Sequence, residues 1–240
     1  MPQSLAGHAP ADYPLQPKTD YSVPVPASCQ VIPLGKLECY NASTGHRAAL
    51  RVVDWLVRVG NRRSEAMQPL ISVFGSSRCE DSGGDYRLAV ELGAALARAG
   101  FAVATGGYGG TMEAVSRGAA EAGGNVIGVV ASALSSEANP WVAETIVVPK
   151  WEDRLLKLIS LGDGYVACPG GTGTLVELAV AWEMIHKRLL RPKPLVAIGE
   201  FWRPIIAQIE SADGNSRGLV RLADNVPEAV AALQASTRAE

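Results

Sequence analysis

Short apolar runs alternate with segments in which apolar residues return every three or four positions, and this rhythm governs the chain from residue 70 onward. Leu70-Ile-Ser-Val-Phe74 has the nearly unbroken apolar character of a strand covered on both faces. Leu88, Leu92, Ala95, Leu96 and Ala99 then share one face of a helix that Gly100 ends. Phe101-Ala-Val-Ala104 predicts the next strand, and Met112, Val115, Ala119 and Ala122 the next helix, stopped by Gly123-Gly124. Val126-Ile-Gly-Val-Val130 and Thr145-Ile-Val-Val148 predict two further strands, residues 151–161 a helix, and residues 165–168 another strand. Behind it, Leu175, Leu178, Ala179, Trp182, Ile185 and Leu189 mark a long amphipathic helix. Pro194-Leu-Val-Ala-Ile198, a helix over 202–209, Leu219-Val-Arg-Leu222 and a closing helix over 227–234 complete the series.

Strands alternating with helices predict an α/β fold. Short connections and right-handed crossovers narrow it to a doubly wound, Rossmann-like parallel sheet with helices on both faces, spanning residues 68–236. The chain before it reads differently. Pro2, Pro10, Pro14, Pro17, Pro24, Pro26 and Pro33 interrupt residues 1–45 without sustained periodicity, which predicts an extended or partly disordered arm. In residues 46–66, Leu50, Val53, Trp55, Leu56, Val57 and Val59 mix with arginines in a pattern that predicts an added helix.

Composition then narrows the classes. With 240 residues, 48% of them hydrophobic, and a formal net charge of −2, the chain can bury one sizeable core and lacks the basic face of a general nucleic-acid binder. No apolar run approaches the ~20 residues of a membrane span, and the first residues do not have the pattern of a secretion signal, so a soluble cytoplasmic protein is expected. Cys29, Cys39, Cys79 and Cys168 form no CxxC pair and have no histidine at metal spacing, so neither a metal nor a disulfide framework is expected. His8, His46 and His186 are scattered. Lys150, Lys157, Lys187 and Lys193 lie outside any Gly-loop setting that would suit a pyridoxal phosphate lysine, and no cofactor is expected.

The chemistry concentrates in the turns after three strands: Gly75-Ser76-Ser77, Thr105-Gly-Gly-Tyr-Gly-Gly110 and Pro169-Gly-Gly-Thr-Gly-Thr174. In such sheets ligands bind at the carboxyl ends of the strands. Glycines 170, 171 and 173 bare their backbone amides, and a helix start adds unpaired donors and a partial positive charge, so a phosphate is the natural guest. Thr172 and Thr174 add hydroxyls, and Glu177 lies within reach of a sugar hydroxyl or a water. Thr174-x-x-Glu177 also fits a capping box that only satisfies the helix end. None of the turns completes G-x-G-x-x-G, which favours a mononucleotide over NAD.

Pro169-Gly-Gly-Thr-Gly-Thr-Leu-Val-Glu177 matches PGGxGTxxE. Together with the Gly-Ser-Ser loop, the Gly-Gly turn before Thr111-Met112, and Arg154 fifteen residues ahead of Pro169, it makes residues 68–235 resemble the "lonely guy" (LOG) family. Those proteins are cytokinin riboside 5′-monophosphate phosphoribohydrolases. The resemblance implies hydrolysis of the N-glycosidic bond of an N6-modified adenosine 5′-monophosphate to free base and ribose 5-phosphate, by a homodimer. It implies Arg154 and Glu177 as the catalytic pair; an arginine there can fix a hydroxyl, phosphate or base and hold the carboxylate ionised. Gly75, Ser76, Ser77, Gly106, Gly107, Gly110 and Thr111, with Gly170, Gly171, Thr172, Gly173 and Thr174, would hold phosphate and ribose, and Met112 and Glu113 would border the base. Without the resemblance, Arg154 reads as one of several surface arginines, and Glu113 as a helix-capping acid. The chain departs from the family in having Arg154-Leu155 where Arg-Lys is frequent, and Thr172 where plant-like members carry Tyr. Molybdenum-cofactor carrier proteins look similar in fold and Gly-rich loops, and imply the alternative: a pocket that binds a phosphate-bearing cofactor without chemistry.

Overall fold

The computed structural model describes residues 29–32, 36–41, 46–51, 68–79 and 83–237. The chain divides into two units, residues 1–62 and residues 63–240. In the first, β1 (Cys29–Ile32), β2 (Lys36–Asn41) and β3 (His46–Arg51) form an antiparallel sheet in the order β1-β2-β3. Residues 46–51 are thus a strand where the apolar pattern predicts the start of a helix. What decides them is a partner, β2, paired from Lys36↔Arg51 to Asn41↔His46, and a partner leaves no periodicity in the strand it recruits. The rest of the expected helix, 52–66, and most of the expected arm lie outside the described residues.

The second unit holds seven strands: β4 (Leu70–Phe74), β5 (Ala102–Thr105), β6 (Val126–Ala131), β7 (Glu144–Val148), β8 (Gly164–Ala167), β9 (Leu195–Ile198) and β10 (Val220–Ala223). Between and after them run α1 (Gly84–Arg98), α2 (Thr111–Glu121), α3 (Trp151–Leu161), α4 (Thr172–His186), α5 (Arg203–Ala212) and α6 (Val226–Thr237). All strand pairs are parallel, in the order β10-β9-β8-β4-β5-β6-β7. This is the doubly wound sheet that the sequence predicts.

The central strands read as continuous apolar runs because they feed two cores, whereas the edge strand β7 is largely exposed. Alternate side chains point to opposite faces: Ile71, Val73, Val103, Val166 and Val196 join a cluster under α1, α2 and α6. Leu70, Phe74, Ala102, Tyr165 and Leu195 join another under α3, α4 and α5. The chain enters the sheet in the middle at β4, winds outward through β5, β6 and β7, and returns to lay β8 on the other side of β4. The loops that leave β4 and β8 therefore diverge, which opens a crevice at the carboxyl edge.

Candidate active site

A cleft of about 420 Å³ occupies that crevice, and five successive strand ends contribute to it. Gly75, Ser76, Ser77 and Arg78 come from the loop after β4, Tyr108 and Met112 from the turn after β5 and the first turn of α2, and Leu134 from the loop after β6. Trp151 and Arg154 come from α3, and Gly171, Thr172, Gly173, Thr174 and Glu177 from the start of α4.

Arg154 and Glu177 meet on its floor, with Nη1 to Oε1 at 3.4 Å and 5% and 8% of their surfaces exposed. Arg154 is therefore no surface arginine. Its Nε donates to Val129 O (2.9 Å) and Gly106 O (3.3 Å), its Nη2 lies 3.4 Å from Met112 Sδ, and its guanidinium sits 5.2 Å from the centre of the Tyr108 ring. Tyr108 is itself tied down, its hydroxyl accepting from Ala131 N at 2.9 Å and donating to Ser135 O at 3.0 Å. Burial pushes the Glu177 carboxyl up to about 7, and the neighbouring Arg154 offsets this only in part. The expectation that the arginine simply keeps Glu177 ionised is thus corrected: burial outweighs the charge pairing and holds the carboxyl well above its ordinary range.

The start of α4 presents bare amides. The first intrahelical bond runs from Leu175 N to Gly171 O, so the amides of Thr172, Gly173 and Thr174 have no partner within the helix. Gly171 caps the helix without a side-chain hydrogen bond, and Glu177 turns to Arg154, so the capping-box reading of Thr174 and Glu177 does not hold. A Cβ at Gly171 or Gly173 would meet nothing within 4 Å. The room above them is left open rather than filled by packing.

Gly106, Gly107, Gly110, Thr111, Glu113 and Gly170 do not line the cleft, and several of them support its loops from behind. A Cβ on Gly75 would collide with Thr111, one on Gly170 with Thr174, and one on Gly110 with Ser76. Thr111 N donates to Ser76 O at 2.8 Å, which clasps the β4 loop to α2; the Thr111 hydroxyl is buried and has no hydrogen-bond partner among the described residues. Gly107, at φ +76°, donates to Thr105 Oγ1 (3.1 Å) and accepts from Asn139 N (2.7 Å), and Gly106 serves through its carbonyl on Arg154. Glu113 does not line the cleft; its carboxylate lies near Gly109 in the first turn of α2, a favourable place for negative charge. Arg78, Tyr108, Leu134 and Trp151 line the cleft without having been singled out in the sequence. Only Tyr108, inside a Gly-rich turn, carried a signal that could have found it.

Residues 68–222 match the model of the SLOG cluster4 family. The chain belongs to this family. Over 134 residues this SLOG protein is 32% identical to the cytokinin riboside 5′-monophosphate phosphoribohydrolase of Rhodococcoides fascians, a match covering 52% of the chain and 66% of that relative's length. Over 188 residues it is 29% identical to a probable cytokinin riboside 5′-monophosphate phosphoribohydrolase of Oryza sativa subsp. japonica, covering 73% of the chain and 80% of the relative. Among solved structures it is similar to the molybdenum cofactor carrier protein from Chlamydomonas reinhardtii, at 29% identity and a TM-score of 0.57 over 72% of the chain and 99% of that protein. Among the described residues no group of three or more His, Cys, Asp or Glu could hold a metal ion, and no helix is long and apolar enough to cross a membrane.

Proposed function

We propose that this SLOG protein hydrolyses the N-glycosidic bond of a nucleoside 5′-monophosphate, with an N6-modified adenosine monophosphate as substrate, to free base and ribose 5-phosphate. The observation that carries the proposal is the buried Arg154–Glu177 pair, set in the crevice beside the amides of Thr172, Gly173 and Thr174, which have no partner among the described residues. The 5′-phosphate would sit on those amides, where the helix dipole favours an anion. The ribose would then lie over Glu177. As the C1′–N bond breaks, positive charge grows on the sugar, and a carboxylate in a water-poor site stabilises it. Water adds its oxygen to C1′, its proton passes to Glu177 and on to the departing base, and the base leaves with the electron pair of the bond. Arg154, held by Val129 O and Gly106 O, fixes the carboxylate and keeps a share of it ionised despite burial.

Incubation with AMP and with isopentenyl-AMP tests the proposal: release of free base that Glu177→Ala abolishes is expected, and no release from either nucleotide at high protein concentration overturns it. The coverage of 99% of the Chlamydomonas carrier favours a second reading, binding of a phosphate-bearing cofactor without turnover. Tight binding of the pterin cofactor while nucleotides stay intact for hours would establish that reading instead. Retention of a buried acid beside its arginine favours the enzyme, because a phosphate cradle alone has no use for a desolvated carboxyl. The proposal includes a homodimer: Leu156 of α3 is 51% exposed, and α4, apolar around its circumference, leaves Ala179 exposed and Val176 and Val180 only partly covered.

A further inference from the structure

The cleft is chemically lopsided, and the sheet order gives the asymmetry a direction. Its hydrogen-bonding end lies at β8 and β4, where the amides of α4, Ser76, Ser77 and Arg78 gather. Its apolar end lies at β6 and β7, where Leu134 and Trp151 stand 62% and 40% exposed. In sheet order the two ends are set by strands on opposite sides of β4 and β5, and Arg154, one helical turn from Trp151 on α3, meets Glu177 on the floor between them. The residues that the sequence suggests for the base offer it little surface. Met112 is 7% exposed with its sulfur against Arg154, and Glu113 lies outside the lining. Large apolar side chains left open to water on a cleft whose other end is lined by backbone amides and hydroxyls are the kind of surface a flat ligand covers.

We infer that Trp151 and Leu134 form the wall that binds the base, so that the cleft selects ligands whose group opposite the phosphate is a flat, uncharged aromatic heterocycle. A 40% exposed indole has surface on which such a ring can stack, and Leu134 adds apolar contact. This rests on the reading that the phosphate occupies the start of α4. It also makes the two residues specificity determinants that neither the glycine motifs nor the catalytic pair announces.

Calorimetric titration of the whole chain with AMP and with ribose 5-phosphate, which lacks the base, tests the inference. A Glu177→Gln background keeps AMP intact. Trp151→Ala is expected to weaken AMP at least tenfold and ribose 5-phosphate less than twofold, Trp151→Phe to restore most of the loss, and Leu134→Ala to weaken AMP alone by about threefold. Equal losses for both ligands, no loss for AMP, or a parent protein that binds AMP no more tightly than ribose 5-phosphate would overturn the wall. A parent that binds neither ligand overturns both the wall and the phosphate assignment. If AMP binds through Trp151 but the wild-type protein releases no base, the hydrolytic reading falls and the wall stands.

Discussion

At Glu177 two effects oppose each other. Burial raises its carboxyl from an ordinary value of 4.5 to about 7, and Arg154 at 3.4 Å pulls it back without winning. The sign of the consequence follows. Between pH 4.5 and about 7 the folded protein holds a proton that the unfolded chain has released, so this group's contribution to stability falls as pH rises through that window. Denaturant unfolding at pH 5 and pH 8 should show that slope, and Glu177→Gln should remove it. If the carboxylate acts on water, kcat/KM rises with pH through an inflection near 7, and Glu177→Gln lowers it by roughly 10²–10⁴-fold and flattens the profile. A Glu177→Gln variant that keeps both the rate and the inflection would contradict this role. The pair itself was legible in the sequence through a motif, PGGxGTxxE, and a spacing. The near-neutral carboxyl was not, because it depends on how deeply α3 and α4 bury it.

Among the elements, two sets of glycines have opposite meanings. Gly118 and Gly93 lie where α1 and α2 cross, and a Cβ on either would run into the carbonyl of Val90 or Val115 on the facing helix. Gly171 has open space around it and an extended backbone, φ −87° and ψ −156°. Gly118→Ala should therefore destabilise the fold by about 1–3 kcal/mol, the ordinary cost of overpacking. Gly171→Ala should leave the melting temperature nearly unchanged yet weaken ribose 5-phosphate about tenfold. Thermal melts and calorimetry separate the two, and a Gly171→Ala protein that binds normally would remove the phosphate from the start of α4. The central strands were readable because burial on both faces makes each a continuous apolar run. Residues 46–51 were misread because a strand that depends on its partner for definition carries no such run. Trp151 and Leu134 escaped notice for a related reason: single apolar residues at a helix start and in a loop acquire a role only when the sheet sets them on one edge.

For the molecule as a whole, the alternation of strands and helices predicted the sheet but not its order, and it is the return of β8 beside β4 that brings five strand ends around one cleft. Nothing in the chain before β8 announces that return; it comes from packing. The proposed dimer belongs to this scale as well. Analytical ultracentrifugation should give a dimer for the wild-type protein and a monomer for Leu156→Glu, a substitution at a half-exposed position that the fold should tolerate; a monomeric wild-type protein would dispose of it. The most direct test of the central claim is a crystal structure with AMP bound. The account predicts the phosphate oxygens about 3 Å from the amides of Thr172, Gly173 and Thr174, the ribose C1′ facing the Glu177 carboxyl, and the base against Trp151. A phosphate lodged at the Trp151 and Leu134 end, or a Glu177 carboxyl turned away from the sugar, would contradict it.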